Sequence, residues 1–481
     1  MQDQRLVHLL EEAKRRGYTR RQIMERAAAV GLSIPALSVA MAGAAAAQGT
    51  PSGSPAAGAT NPFGVDPAAP LDVVIFKGGY GDDYAKYVNT MYSSLYPESA
   101  IAYQGIQRLG EQLQPRFIDG SPPDVIDNSG AGNLDTAALI AEGQLATLGD
   151  VLAAPAYDTE GMTVGETLSP GTQDTGVFNG EQYYLNLVQF VTGIWYSSSF
   201  MTERGYTYPQ TWQEMLDLSA ELKGSGIAPW ATTGVYPQYA QNFVFDQLVW
   251  KANPQALVDI DNLVEDAWRA PEVEAALEAM AQLGSNEYLL DGWEGLTHTE
   301  SQAEWLQGRA AFLPCGSWLE NEMTGLVPEG FDMVVSPVPP LEGSQVPFEG
   351  IFSGGGEVFI VPAQGANVAG GKEWMRLLLS KEAGRAFAEA TKSLTVVQGA
   401  ADGLDLGTAF QSVQQAIEAA GTNTFISRYS GWYKDLQDEA KNAMAFLLQG
   451  QIEIADYIDT AQEMADQVRE DDAIPKYERS L

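Results

Sequence analysis

The chain has 481 residues, 45% of them hydrophobic and 19% charged, enough to enclose a sizeable core in two lobes and too apolar for a disordered or collagen-like protein. Its 63 Asp and Glu against 27 Lys and Arg give a formal charge of −36, which excludes a nucleic-acid backbone as partner. One cysteine, Cys315, and two histidines, His8 and His298, exclude an intrachain disulfide framework and leave no material for a Cys/His metal site or a histidine-based triad, so neither metal nor cofactor is expected.

The first 26 residues carry seven basic and four acidic groups, a net +3 in an otherwise acidic protein. Thr19-Arg20-Arg21-Gln22-Ile23-Met24 within them resembles a twin-arginine export signal, and the uncharged run Ala27 to Ala47 ends in small residues suited to cleavage. A signal peptide over 1–47 is expected. An uncleaved anchor is the competing reading, weakened by the Ala, Gly and Ser content of the run and by Pro35. Removal of 1–47 leaves a charge of −39, and no cysteine stands near the cleavage site to accept a lipid. Residues 48–70 have the Ala, Gly, Pro, Ser and Thr content of a flexible linker.

Folding signals begin with the β-branched run Leu71–Phe76, stopped by Gly78-Gly79 and followed by a helix from Asp82 to Leu95. Ala100 to Tyr103 reads as a second strand, Ile106 to Phe117 as a helix and Asp124 to Asp127 as a third strand. That alternation predicts a parallel sheet whose ligand crevice is built by the loops leaving the strand carboxyl ends. A second unit opens at Gly193-Ile194-Trp195-Tyr196 and continues with a helix capped by Thr211 and Glu214, then a strand over Ile227 to Ala231. A helix starting at Pro271 presents Val273, Ala276, Leu277, Met280 and Leu283 on one face. After Pro337 to Pro340, Gly350 to Pro362 reads as a strand returning to the first sheet, Lys372 to Thr391 as two helices divided at Ser380, and Gly431 to about Glu470 as a final helical stretch. Segments that leave a lobe and return make several crossovers at one waist, which is what a hinge needs.

The succession Pro209-Gln210-Thr211-Trp212-Gln213-Glu214, Gly308 to Trp318 (GRAAFLPCGSW) and Leu377 to Ala383 (LLLSKEA) resembles the extracellular sugar-binding proteins of ABC importers, over roughly residues 71 to 470. Asp127 to Gly130, Gly143 to Leu148, Gly316 to Met323, Gly365 to Glu373 and Val468 to Asp472 are similar, more narrowly, to the N-acetylglucosamine/diacetylchitobiose-binding component of such importers. The resemblance implies an α/β, two-lobed periplasmic-binding-protein-like (Venus flytrap) fold, with 71–188 plus 341–395 as lobe 1 and 189–340 plus 396–481 as lobe 2. It also implies an exported monomer at the periplasmic or extracellular face, a sugar ligand, and the membrane subunits of an ABC permease as partner. Many members of the family carry a lipid-accepting cysteine that this chain lacks, which leaves open how the protein is retained at the surface.

A sugar offers hydroxyls at its rim and C–H groups on its faces, so its site needs flat aromatic surfaces with convergent donors and acceptors. Tyr80 and Asp82 stand in the glycine-rich loop after the first strand, Asn128 just beyond the third, Gln189 and Phe190 at the crossover between lobes, and Gly355 and Glu357 on the returning strand. Trp230 and Tyr239 flank the loop after a strand of the second lobe. By resemblance, Trp318 is the stacking tryptophan and Trp432 the late aromatic that covers the other sugar face. Turn formation, hinge packing and ordinary core are the competing roles for these residues. His298 reads as a surface residue and Cys315 as a small buried hydrophobe. The expected activity is binding rather than catalysis: capture of N-acetylglucosamine or chitobiose-type oligosaccharides, or of another mono- or oligosaccharide. An extracellular glycoside hydrolase would need only two carboxylates, but no local carboxylate pattern stands out, and a sensor or adhesin could share the fold.

Overall fold

The structure, a computed structural model, describes residues 61–130 and 132–481, so the expected export signal lies outside the described residues. Eleven strands follow one another: β1 Leu71–Phe76, β2 Ile101–Ile106, β3 Val125–Asp127, β4 Val177–Phe178, β5 Glu181–Gln182, β6 Tyr184–Ser197, β7 Ala228–Trp230, β8 Ala310–Gly316, β9 Met333–Ser336, β10 Ile351–Ile360 and β11 Thr424–Phe425. Nine of them form one sheet in the order β2-β1-β3-β10-β6-β8-β7, with β11 on β10 and β9 on β6, while β4 and β5 make a separate hairpin. β1 pairs parallel with β2 and β3, as the strand–helix alternation predicts. Val73, Val74 and Ile75 are fully enclosed, which accounts for their continuous apolar run: a parallel strand covered on both faces has no polar side to show.

β6 and β10 run antiparallel from Thr192↔Phe352 to Tyr184↔Ile360 and belong to both halves of the molecule. Leu185, Leu187 and Val188 of β6 and Phe359 of β10 join an apolar cluster with β1, Trp374 and Phe387. Ile194 and Phe352, further along the same two strands, join a second cluster with Trp212, Trp230, Trp268 and the C-terminal helices. A third pathway between the halves is Leu394–Val396, where Leu394 O accepts from Gln189 N and Leu187 O from Val396 N. Val396, Val397 and Ala400 pack in the first of these clusters, and Val65 inserts there from within the expected linker.

Local signals explain the helices. Helix Trp212–Gly224 begins with the expected capping box, Thr211 Oγ1 accepting from Glu214 N while Glu214 accepts from Thr211 N. Helix Pro271–Ser285 buries all five residues of its expected face. Ser380 divides Val368–Leu378 from Lys381–Thr391 and accepts from Ala383 N at 3.2 Å. Three expectations are corrected. Ile106 ends β2, because its backbone is held in register with Phe76, and the helix after it spans Leu109–Ile118. The strand expected to open the second unit at Gly193 begins nine residues earlier, at Tyr184. The final helical stretch is three helices, Tyr429–Trp432, Lys434–Leu448 and Ile454–Glu470, the last two parted where Gly450 takes a left-handed φ of 67°. No helix among the described residues is long and apolar enough to cross a membrane.

Candidate functional site

Where β6 and β10 pass between the halves, the loop after β3, the loop after β11 and the first turn of helix Lys434–Leu448 surround a cavity of ≈ 420 Å³. Four expected residues line it: Asn128, Phe190, Gly355 and Trp432. Asn128 spends its amide on its own loop, donating to Leu134 O at 3.0 Å and Thr136 Oγ1 at 2.9 Å and accepting from Leu134 N at 2.8 Å. It shapes the wall and has no free donor for a ligand. Trp432 packs against Tyr433 and Tyr477 and is 8% exposed.

The segment Ile426–Trp432, which ends in the short helix Tyr429–Trp432, forms the opposite wall, and two enclosed carboxylates fix it from behind. Asp261 accepts from Arg428 N at 2.7 Å and Tyr429 N at 2.8 Å. Asp246 accepts from Ser427 Oγ at 2.9 Å and Tyr429 Oη at 3.1 Å. Burial raises both carboxyls, that of Asp261 to about 6 against the pull of Arg479, that of Asp246 to about 8. Arg428 lines the main cavity and also a smaller one of ≈ 120 Å³, which holds Gln189 and Arg479.

A second group of expected residues gathers on the far side of Phe190. Its ring lies 6.0 Å from that of Trp318, which meets Phe243 at 5.7 Å; Phe243 meets Tyr239 at 4.9 Å. His298 is half-buried, not on the surface, because it stacks on Tyr239 and lies 3.3 Å from Glu322. Tyr80 packs on Phe387 with its hydroxyl enclosed and unpartnered. Glu357 takes a left-handed φ of 53° within β10 and forms a tightly linked pair with Asp127. Burial raises both carboxyls, that of Asp127 to about 6, and the charge of Asp127 raises Glu357 further. Asp127 also accepts from Tyr84 Oη at 2.8 Å and Ser129 Oγ at 2.5 Å.

Two expected residues lie elsewhere. Trp230 is 1% exposed, donates to Ser219 Oγ at 3.2 Å and packs between Trp212 and Phe312. Its large apolar area is spent on the core. Asp82 takes Lys86 at 2.8 Å, Tyr103 at 3.0 Å and Lys77 at 3.2 Å, and these hydrogen bonds outweigh burial and hold its carboxyl below the usual range. Sequence reasoning missed Arg428, Asn186 and Gln437, which line the main cavity. Cys315 is buried as expected. Among the described residues no three His, Cys, Asp or Glu side chains are grouped to hold a metal ion.

Residues 78–385 match the family described as bacterial extracellular solute-binding protein. The chain is 33% identical over 422 residues to the diacetylchitobiose binding protein NgcE of Streptomyces coelicolor, covering 87% of this chain and 89% of that protein. Its fold is similar to that of a chitin oligosaccharide binding protein (TM-score 0.66, 19% identity, 82% and 98% of the two chains). It is also similar to that of the solute-binding protein RafE in complex with raffinose (TM-score 0.62, 16% identity, 82% and 100%).

Proposed function

The chain belongs to the bacterial extracellular solute-binding proteins, and from that membership we propose that it captures N-acetylglucosamine or chitobiose-type oligosaccharides between two closing lobes and delivers them to an ABC permease. The observation that carries this reading is the ≈ 420 Å³ cavity at the waist, walled by Phe190 and Trp432 and lined from both halves. Its size falls in the usual range of small-ligand sites. The two rings offer apolar faces to a sugar, and Trp318 stands behind Phe190 and sets its position. Tyr80, Tyr239 and Glu357 extend the site on the other side of Phe190 toward further sugar units; Gln189 belongs to the crossover.

Because both halves touch the ligand, binding favours the closed arrangement over the open one, and the closed arrangement is the one presented to the membrane subunits. The protein works as an exported monomer, outside the cell, and as a binder rather than a hydrolase. Support for the latter lies in Asp127, which is engaged by Tyr84, Ser129 and Glu357, whereas a hydrolytic pair stands about 5 Å or more apart to admit the scissile bond. Titration calorimetry of the mature chain with N-acetylglucosamine, its β-1,4-linked dimer to tetramer, maltose, xylobiose and raffinose tests the reading. Tight binding confined to the N-acetylglucosamine series is expected. Tight binding of another sugar with none in that series would overturn it.

A further inference from the structure

The cavity's polar inventory is uneven. Most of its side chains are committed within the protein. The amide of Asn128 is spent on its loop, Asp135 caps Ala138 N at 3.0 Å, and Asp438 takes both Lys434 and Lys441. Others are not. Arg428 has an enclosed Nε with no acceptor. Gln437 donates from Nε2 to Asn242 Oδ1 at 2.9 Å and leaves an enclosed Oε1 with nothing to accept from.

An unpartnered polar atom is costly, and three side chains of one cavity lining, those of Arg428, Gln437 and Asn186, carry such atoms. Arg428 and the two amides are opposite in kind: a guanidinium can only donate and an amide oxygen can only accept. A sugar hydroxyl turns to suit either and gains little from their pairing. A secondary amide presents a fixed carbonyl oxygen and a fixed N–H, and so matches a donor and an acceptor that cannot exchange roles.

We infer that Arg428 and Gln437 are specificity-determining residues that read the 2-acetamido group of the sugar, Arg428 donating to its carbonyl oxygen and Gln437 Oε1 accepting from its N–H. The inference rests on the saccharide reading above and assigns the recognition of its acetamido group to two side chains. Asp261 acts through Arg428 as a positioning residue, since it holds the backbone N–H groups of Arg428 and Tyr429 rather than the guanidinium. The backbone at position 428 is therefore fixed independently of its side chain, which makes Arg428→Met and Gln437→Leu suitable variants.

The test is calorimetry on the mature chain and both variants with two disaccharides of the same linkage, diacetylchitobiose and cellobiose, alongside thermal melts. The wild type is expected to prefer diacetylchitobiose by about tenfold to a hundredfold, as for hydrogen bonds involving a charged group. Arg428→Met is expected to remove most of that preference and Gln437→Leu part of it, read in each variant as the ratio of the two affinities. Equal weakening of both sugars, or a preference untouched by either variant, overturns the inference while leaving the saccharide reading standing. A wild type that binds no N-acetylated sugar overturns both.

Discussion

Asp246 is fully enclosed and its carboxyl is raised to about 8 by burial, with Asp261 as a further charged neighbour and Gln241, Ser427, Tyr429 and Tyr457 around it. In the unfolded chain an aspartate titrates near 3.9. Between about 4 and 8, therefore, the folded protein holds a proton that the unfolded one lacks, and each unit rise in pH removes up to about 1.4 kcal/mol of stability. Asp261, raised to about 6, adds to the slope only in the lower part of that window. Urea unfolding at pH 6, 7 and 8 is expected to show falling midpoints for the wild type and a shallower fall for Asp246→Asn, in which the raised carboxyl of Glu357 remains. A wild type equally stable at pH 6 and 8 would refute the protonated state. The same residue ties stability to function, because its partner Ser427 belongs to the cavity wall.

At the scale of elements, β10 carries the sharpest steric constraint near the site. A Cβ on Gly355 would stand 1.9 Å from Thr172 O and 2.6 Å from the Asn186 side chain, whereas on Gly354 the nearest atom, of Ile426, is at 3.4 Å. Gly355→Ala is expected to cost about 1–3 kcal/mol or more through displaced backbone, and Gly354→Ala to change stability by less than about 1 kcal/mol. Matching denaturant midpoints for the two variants would contradict this account. Periodicity made the Pro271 helix legible residue by residue, and the capping pattern at Thr211 gave a helix start to the residue. β6 was not legible as a whole: its fourteen residues contain no turn signal, yet nothing in a sequence says that one strand will serve two cores. For the site, loop positions after β3 and along β10 were readable from the strand–helix rhythm. Arg428 and Gln437 were not, since an arginine and a glutamine near helix starts look like solvated surface until the fold brings them to a cavity. Trp230 failed in the opposite sense, as composition cannot separate a ligand-facing indole from a core one.

For the whole molecule, the cavity is lined by residues from both halves, so a ligand there has contacts that exist only when the halves approach. Small-angle scattering is expected to show a smaller radius of gyration with saturating diacetylchitobiose than without, and an unchanged one with a sugar that does not bind. A radius indifferent to bound ligand would mean that capture does not involve closure. The charge of −36 acts at this scale too. It makes copies of the protein repel one another and names no ligand.

The shared strands have one more consequence. Because β6 and β10 each place side chains in both apolar clusters, neither half owns a complete set of strands, and melting one strips the other of its central pair. Scanning calorimetry should therefore record a single endotherm rather than two, and a gene cut to encode either half alone should yield aggregates instead of a separable fragment.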